Sequence, residues 1–300
     1  MDSQGRRTFK SLTKAIDINN KGEVVLNRED QDGIFAYFWN GVSTVTLGSI
    51  FDANNDPLPD VVSPEYSRLY AVVGQSGCEA VAINERSQAI ANCGTIPTFT
   101  DFATGGRAIL NTLPGATEAK ANAINDKGFV VGSSGGQAFF WDGGAMYPLS
   151  SLSGGTSQAL AINNNDWVVG TSTLTNGSTH AVLWKFNTTT KKATIQDLGT
   201  LGGLNSFAVD INDQGIVTGY SDTGQTYEEN GTRLGVQRAF SWNNGVMYDL
   251  GTHNDFYDFF FVPPYPISRG VAINSVGQII GNSITINSHK RAFFLNPVYP

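Results

Sequence analysis

The chain is poor in charged residues and has no concentration of positive charge. Asp, Glu, Lys and Arg make up 15% of its 300 residues, and the net charge is −7 at pH 7. An acidic surface repels the phosphate backbone of nucleic acids, and no cluster of Lys and Arg offsets that repulsion. The longest apolar run, around residues 259–264, is far too short to span a bilayer and is interrupted by prolines. The sequence therefore predicts neither a nucleic-acid partner nor insertion into a membrane.

Helical periodicity is also missing. No window shows apolar residues at a 3.6-residue period. Instead, 34 glycines and abundant Asn, Ser and Thr separate short apolar runs, which is typical of many short strands joined by turns. We therefore assign the chain to the all-β class.

The N-terminal residues 1–10 are polar and lack the apolar core of a signal peptide. Either the chain is intracellular, or a leader has been removed and a new Met added. We favour the second alternative and expect an extracellular or cell-surface protein.

A repeated unit runs along the chain, and residues 207–251 show its parts. Two short strands flank an Asn-Asp-x-Gly turn, and a third and a fourth strand follow, joined by an Asn-Gly turn. An Ile-Asn pair ends the first strand of each of six units, which are anchored at Ile18, Ile83, Ile124, Ile162, Ile211 and Ile273. Successive anchor numbers differ by 65, 41, 38, 49 and 62. Because the short intervals match a blade of roughly 40 to 45 residues, we predict a six-bladed β-propeller of four-stranded antiparallel blades, formed as a single domain by residues 1–300.

Two further positions repeat in register. The second strands carry Gly132, Gly170, Gly219 and Gly281, and glycine inside a strand indicates a bulge or the close approach of another backbone. The third strands end in Trp39, Trp141, Trp184 and Trp242. Aromatic rings at repeat spacing are typical of the core between blades, because each ring buries a large area against the next sheet.

These motifs carry a resemblance. The string A-x-A-I-N-x-x-G-x-V-V-G-x-S, followed by [HR]-A-F-x-W-x-x-G-x-M-x-D-L-G-T-L-G-G, resembles the bacterial HAF-type extracellular repeat, most fully in residues 121–156 and 180–219. The second unit, residues 79–117, departs furthest from it, since Ser87 replaces the turn glycine and the Trp is missing. The resemblance implies secretion and repetition, and it implies no catalytic residues.

Long insertions occur in only one of the two sets of loops. The loops between first and second strands and between third and fourth strands are short, and in a propeller they lie on one face. The other set holds every long insertion, at residues 49–77, 222–237 and 252–268. Long loops in a compact domain are often functional. We therefore expect a ligand on the face with the insertions, near the junction of units five and six.

The insertions combine aromatic rings with carboxylates, a mixture that suits sugars, which stack on rings and donate hydroxyl protons to acceptors. Aromatic walls with a few convergent polar groups are typical of binding sites. An alternative is that residues 259–261 only pack on a blade edge. The candidate binding residues are Tyr227, Glu228, Arg233, Tyr257, Asp258 and Tyr265.

No cofactor or metal site is predicted. His253, Asp255 and Asp258 could meet at a metal, but no second His or Cys stands at a ligand spacing. The Asn-Asp-x-Gly turns lack the further acidic ligands of a calcium loop. Cys78 and Cys93 flank the second hairpin, so that either a disulfide or two separate thiols are possible.

The resulting interpretation is a secreted or cell-surface β-propeller that acts as a non-catalytic binding or display module. We expect a monomer whose partner is a glycan or a cell-surface protein. Two alternatives remain, a glycan-active hydrolase or lyase that uses paired loop carboxylates, and a scaffold for protein interactions.

Overall fold

The computed structural model describes residues 12–30, 33–40, 44–47, 77–229, 232–251, 267–284 and 290–296. Within these ranges all regular structure is β-strand, as predicted. The strands of the first three units are β1 Leu12–Ile18, β2 Val24–Asp30, β3 Gly33–Trp39, β4 Thr44–Leu47, β5 Cys78–Ile83, β6 Gln88–Cys93, β7 Ile96–Asp101, β8 Arg107–Ile109, β9 Ala119–Ile124, β10 Val130–Ser134, β11 Gln137–Trp141 and β12 Met146–Pro148. The last three units contain β13 Ser157–Ile162, β14 Trp167–Thr173, β15 Thr179–Asn187, β16 Lys192–Asp197, β17 Ser206–Ile211, β18 Val217–Glu229, β19 Thr232–Asn243, β20 Val246–Asp249, β21 Ile267–Ile273, β22 Ile279–Ile284 and β23 Lys290–Leu295.

Strands pair with their neighbours in the chain. Four sheets have four strands each, in the orders β1-β2-β3-β4, β5-β6-β7-β8, β12-β11-β10-β9 and β13-β14-β15-β16. The remaining strands form one sheet in the order β17-β18-β19-β21-β22-β23, with β20 also paired to β19. Its β19 and β21 meet in parallel at a single residue pair, Gln237 and Ile267. The fold is therefore all-β with four-stranded antiparallel sheets, in agreement with a β-propeller-like architecture.

The chain divides into two compact bodies, residues 1–130 with 141–146 and residues 131–140 with 147–300. Each body has a buried apolar cluster that joins successive units. In the first body, Val25 and Phe38 of unit one pack with Ala80 and Ile83 of unit two. In the second body, the cluster joins Val169 and other residues of unit four to residues of unit five.

The repeated glycines lie opposite a bulge, as the sequence predicted. In the second body the first strands β13, β17 and β21 each shift register by one residue. The bulge brings their main chain against Gly170, Gly219 and Gly281, where a Cβ atom would overlap a carbonyl oxygen of the first strand. The glycines therefore have a packing role.

Three of the repeated tryptophans are buried. Trp141, Trp184 and Trp242 are at most 5% exposed, and the Trp184 indole N–H donates to the carbonyl of Ser150 in the preceding unit. Trp39 of the first unit is 39% exposed. The prediction of a core position is thus confirmed for three of the four rings and wrong for Trp39.

In units one, two, four and five, the asparagine of the Ile-Asn pair connects its turn to the next unit. Its side-chain oxygen accepts two backbone N–H groups of its own turn, as in Asn84, which accepts from Arg86 at 3.0 Å and Gln88 at 2.9 Å. Its amide nitrogen donates to the carbonyl oxygen of the asparagine one unit ahead. These hydrogen bonds run from Asn19 to Asn84 at 3.0 Å, from Asn84 to Asn125 at 2.8 Å, from Asn163 to Asn212 at 2.9 Å and from Asn212 to Asn274 at 3.1 Å. We call this series the asparagine relay.

Two units carry an additional link between units. Asp17 accepts the N–H of Ile83 at 3.0 Å, and Asp210 accepts the N–H of Ile273 at 2.8 Å. Burial raises the pKa of Asp210 to about 6, although the N–H groups of Ile273 and Ile211 favour its charged form. At neutral pH the carboxylate is therefore ionised, and its hydrogen bonds are charge-assisted. The other four units have alanine at this position.

Cys78 and Cys93 form a disulfide. They face each other on β5 and β6 with a Cα–Cα distance of 4.0 Å. Such a short distance is typical of a non-hydrogen-bonded cross-strand pair, whose side chains lie close enough to be bridged. The equivalent pairs in units four, five and six are serines, Ser157 with Ser172, Ser206 with Ser221 and Ser268 with Ser283. The disulfide thus occupies a position where other units bury two hydroxyl groups.

These serines connect the units by hydrogen bonds. The hydroxyl oxygens of Ser157, Ser206 and Ser268 accept the N–H of an alanine in the third strand of the preceding unit, at 2.8 to 3.0 Å. That alanine corresponds to Ala36 before the second unit, and Ala36 lies in the same buried cluster as Cys78.

Replacing a relay asparagine, which bonds both its own turn and the next unit, is expected to lower the free energy of unfolding. We predict that Asn84→Ala lowers the free energy of unfolding by about 3 kcal/mol or more, because it leaves several buried groups without a partner. Asn187→Ala is the matched control, since Asn187 accepts two N–H groups in an exposed turn and is expected to cost about 1 kcal/mol or less. Urea unfolding measures both changes. Equal losses would contradict a special role for the relay.

The serine pairs predict how the disulfide can be replaced. Loss of a disulfide that closes a 15-residue separation is expected to cost about 3 kcal/mol. The Cys78→Ser/Cys93→Ser variant should recover part of that loss, about 1 kcal/mol per hydrogen bond, relative to Cys78→Ala/Cys93→Ala. Chemical unfolding of the two double variants gives the comparison. A serine variant that is no more stable than the alanine variant would show that the hydroxyls find no partners.

Candidate functional site

The insertion at residues 222–237 is a two-stranded ribbon and not the polar loop that the sequence analysis expected. Strands β18 and β19 continue past their sheet, and Glu228 pairs with Arg233. The missed signal is Asn230-Gly231 between Thr and Tyr residues, since Asn-Gly flanked by β-forming residues indicates a tight hairpin.

The ribbon separates the predicted site residues. Glu228 and Arg233 are directly opposite each other, and the Arg233 guanidinium donates from Nε to the Thr226 hydroxyl at 2.7 Å. Tyr227 pairs with Leu234, one residue along the strands. Because successive side chains of a strand point to opposite faces, the tyrosine is on the other side of the ribbon from the two charged residues.

The other predicted residues, Tyr257, Asp258 and Tyr265, lie outside the described residues, as do His253 and Asp255. Among the described residues, no three His, Cys, Asp or Glu side chains come together as a metal site would require.

A cavity of about 300 Å³ lies among the short turns of units two and three, in the first body. This volume is at the lower end of the range for small-ligand pockets. The lining combines two aromatic rings with amide, carboxylate, guanidinium and ammonium groups. The side chains that give it this character are Gln88, Phe99, Asp101, Arg107, Lys127 and Trp141.

The aromatic wall consists of Phe99 from β7 and Trp141 from the end of β11. Their ring centroids are 5.3 Å apart and their planes are inclined by 50°. Trp141 is buried and Phe99 is half-buried. The Phe99 ring is therefore the more accessible apolar surface, with the indole as support behind it.

Asp101 organises the polar wall. Its Oδ2 accepts the Gln88 amide at 2.9 Å, and its Oδ1 accepts the N–H groups of Ala103 at 2.9 Å and Thr104 at 3.1 Å. Burial disfavours the charge, but these hydrogen bonds outweigh it and lower the pKa of Asp101 below its usual value. Asp101 is therefore ionised at neutral pH and holds no proton to donate to a substrate.

Gln88 gives the cavity its polar floor, and comparison with other units explains why the space exists. The glycine of the next turn contacts this repeat position each time: Gly128 meets Gln88, Gly215 meets Trp167 and Gly277 meets Ile216. Units four and five thus place a larger or apolar side chain here, whereas unit two has an amide, as does unit six with Gln278. The Gln88 amide is fixed by Asp101 and by Asn84, which donates to its oxygen at 2.8 Å.

Sequence reasoning did not select these residues. It interpreted the short turns as turn chemistry and Trp141 as core. The residue type at this position gave no signal, since unit one has Glu23 and unit six has Gln278 where unit two has Gln88. We had expected the ligand at the other set of loops.

Comparisons with known proteins give limited matches. A family model described as a protein of unknown function (DUF3466) matches residues 150–293, just under half of the chain. A comparison with curated proteins gives no match.

Several solved structures resemble the chain. The extracellular domain of a one-component system from B. thetaiotaomicron has 9% identity and a TM-score of 0.43, over 95% of this chain and 38% of that one. The chain thus spans little more than a third of that protein. YjhT has 10% identity and a TM-score of 0.43, over 96% of this chain and 98% of its own length. An ulvan lyase of the polysaccharide lyase family PL25 has 11% identity and a TM-score of 0.40, over 92% and 81%. We assign no function from these values.

The described residues contain no helix long and apolar enough to cross a membrane.

Proposed function

We propose that the protein is an extracellular or cell-surface binding module without catalytic activity, and that its ligand is a carbohydrate. The observation that carries the proposal is the cavity of units two and three. Its Phe99 ring offers a stacking surface, while Gln88, Arg107 and Lys127 offer hydrogen-bond donors beside it. A ring next to a few polar groups in a concave place is what a sugar requires. The resemblance to the HAF-type repeat belongs to this proposal, since it implies a secreted protein.

The disulfide supports a location outside the cytosol. Disulfides form and persist in oxidising compartments and are rare where thiols are kept reduced. The bridge between Cys78 and Cys93 is buried among apolar residues of the first two units, where it stabilises the body that contains the cavity.

The chemistry of Asp101 favours binding over hydrolysis. A glycosidase needs one carboxylic acid that holds a proton and a second carboxylate nearby. Among the residues that line the cavity, Asp101 alone has a carboxyl group, and it is held in its charged form. The enzyme alternative would therefore have to use another place, such as Glu228 on the ribbon.

We infer in addition that the six units close into one six-bladed propeller, as a single domain. The support comes from three apolar side chains of the end units that are exposed there. Ile280 and Phe294, opposite each other on β22 and β23, are 48% and 57% exposed. Ile18 of the first unit is 63% exposed. Residues at the Ile280 position are fully buried in each of the other units, namely Val25, Ile90, Val131, Val169 and Thr218. If the sixth unit packs on the first, Ile280, Phe294 and Ile18 become buried.

Ring closure can be tested with two isoleucines at the same repeat position. If the ring closes, Ile280→Ala should cost about 2 to 5 kcal/mol, the usual loss for a buried isoleucine. Ile90→Ala, fully buried in unit two, is the matched control with the same expected loss. An exposed Ile280 would instead give a change within about 0.5 kcal/mol. That smaller value, measured by urea unfolding, would contradict closure.

The ribbon remains a second candidate site. Glu228 and Arg233 form a cross-strand pair of opposite charge, and Tyr227 adds a ring on the other face. In this alternative, these residues together with Tyr257, Asp258 and Tyr265 would contact the ligand. The ribbon site and the cavity make different predictions for the same assay.

Binding to a glycan array, with release of reducing sugar measured in parallel, tests the function. We expect binding without release. Phe99→Ala should weaken binding several-fold, because stacking contributes on the order of 1 kcal/mol, whereas Tyr227→Ala should leave it unchanged. The opposite pattern would move the site to the ribbon. Sugar release that disappears in Glu228→Gln would show the protein to be an enzyme, and silence in both assays would leave an interaction scaffold.

A further inference from the structure

The cavity has a charge of its own that differs from the charge of the chain. Arg107 and Lys127 line it together with the single carboxylate of Asp101. The lining thus has an excess of positive charge in a protein whose net charge is −7. Local charge of the sign opposite to the rest of a surface concentrates ligands of the complementary sign.

Three carboxylates in and next to the cavity accept hydrogen bonds from N–H groups. Asp101 accepts the Gln88 amide and two N–H groups of its own turn, as described above. Asp126, next to Lys127, accepts the N–H of Glu85 at 3.0 Å. Asp142, next to the lining residue Gly143, accepts the N–H groups of Gly144 at 3.1 Å and Ala145 at 2.9 Å. These carboxylates serve as turn and inter-unit acceptors, which reduces their repulsion of an anionic ligand.

The two cations belong to different units and are set in defined turns. Lys127 donates its N–H to the Asn125 side chain at 3.1 Å, and Gly128 after it has a φ of +82°, which favours glycine. A side chain at residue 128 would collide with the Gln88 amide, so that the turn lies directly against the cavity floor. Arg107 begins β8, the fourth strand of unit two. Their backbone positions are therefore fixed on two sides of one space.

We propose that this cavity selects an acidic saccharide, a sugar unit that carries a carboxylate, over a neutral one. The sugar ring stacks on Phe99, its hydroxyl groups bind the Gln88 amide, and its carboxylate is bound by Arg107 and Lys127. Arginine suits this role because its planar guanidinium can donate two parallel hydrogen bonds to a carboxylate. This inference rests on the proposed function and specifies the ligand class of the same site.

The experiment compares uronic acid oligosaccharides with their methyl esters, which keep the shape of the sugar and remove the charge. A panel of glucuronate, galacturonate and mannuronate oligomers, each beside its ester, is titrated into the protein by calorimetry. We expect at least one acid to bind about tenfold or more tightly than its ester. Raising the salt concentration should weaken binding of the acid and leave binding of the ester unchanged, because salt screens only the charged contact.

Variants assign the effect to the cavity. Arg107→Gln and Lys127→Gln should each remove most of the preference for the acid and leave binding of the ester in place. Lys120→Gln makes the same charge change at an exposed site on β9 outside the lining and should have no effect. Gln88→Trp places in unit two the residue that unit four has at this position, and should abolish binding of both ligands by filling the cavity. Thermal unfolding of each variant checks that the fold is kept.

The outcomes separate the two proposals. If acid and ester bind equally and Arg107→Gln changes neither, the selectivity for acidic sugars is wrong, while the carbohydrate-binding function stands. If no member of the panel binds, and neutral sugars on the array bind equally well to wild type and to Phe99→Ala, the cavity is not the sugar site and its selectivity for acidic sugars is wrong. If no sugar on the panel or the array binds, both proposals fail.

Discussion

The asparagine relay is the interaction on which the arrangement of successive units depends. One side chain performs two tasks, because its oxygen shapes the turn of its own unit and its nitrogen holds the carbonyl of the next unit. A buried amide that satisfies both its donor and its acceptor groups is stable only when turn and neighbour are correctly placed. The position of a unit therefore determines the shape of its turn, and the shape of the turn determines the position of the next unit. The same hydrogen bond from an asparagine side-chain amide is thus repeated along the chain.

The repeat tolerates different chemistry at equivalent positions as long as the linkage between strands is preserved. A pair of buried serines in three units corresponds to a disulfide in unit two. The first-strand serine bonds to the preceding unit, whereas the disulfide joins the first strand to the second. The side chain that lies against the turn glycine of the next unit is Trp167 in one unit and Gln88 in another. The first exchange leaves the architecture unchanged. The second changes the space at that position, since Gln88 lies at the floor of a cavity, and the fold is kept.

The sequence predicts the all-β fold and its repeated strands because turn residues and alternating apolar residues are local signals. It also predicts a packing role for Gly170 and Gly219, since glycine at that place in several strands indicates a bulge or a close backbone. It does not predict the relay, because a hydrogen bond from Asn84 to Asn125 depends on how two sheets pack. The sequence does not predict the cavity for the same reason, because Gln88, Arg107 and Lys127 are far apart in sequence and none is unusual alone. The ribbon at residues 222–237 was a missed local signal, since the Asn-Gly pair between its two strands was present in the sequence.

The two aspartates at the first-strand bulges allow the connections between units to change in length. Asp17 and Asp210 hold the next unit in just those two units that are followed by the widest separations, 65 and 62 residues between successive relay asparagines. Doubling the length of a flexible connection costs only about 0.6 kcal/mol in closure entropy. A hydrogen bond to a charged acceptor contributes roughly 1.5 to 3 kcal/mol. With units joined through space in this way, the covalent connection between them can lengthen, shorten or be exchanged while the register of the sheets persists. Evolution, or an engineer who grafts new segments there, has two sites where sequence can be rewritten with little effect on folding.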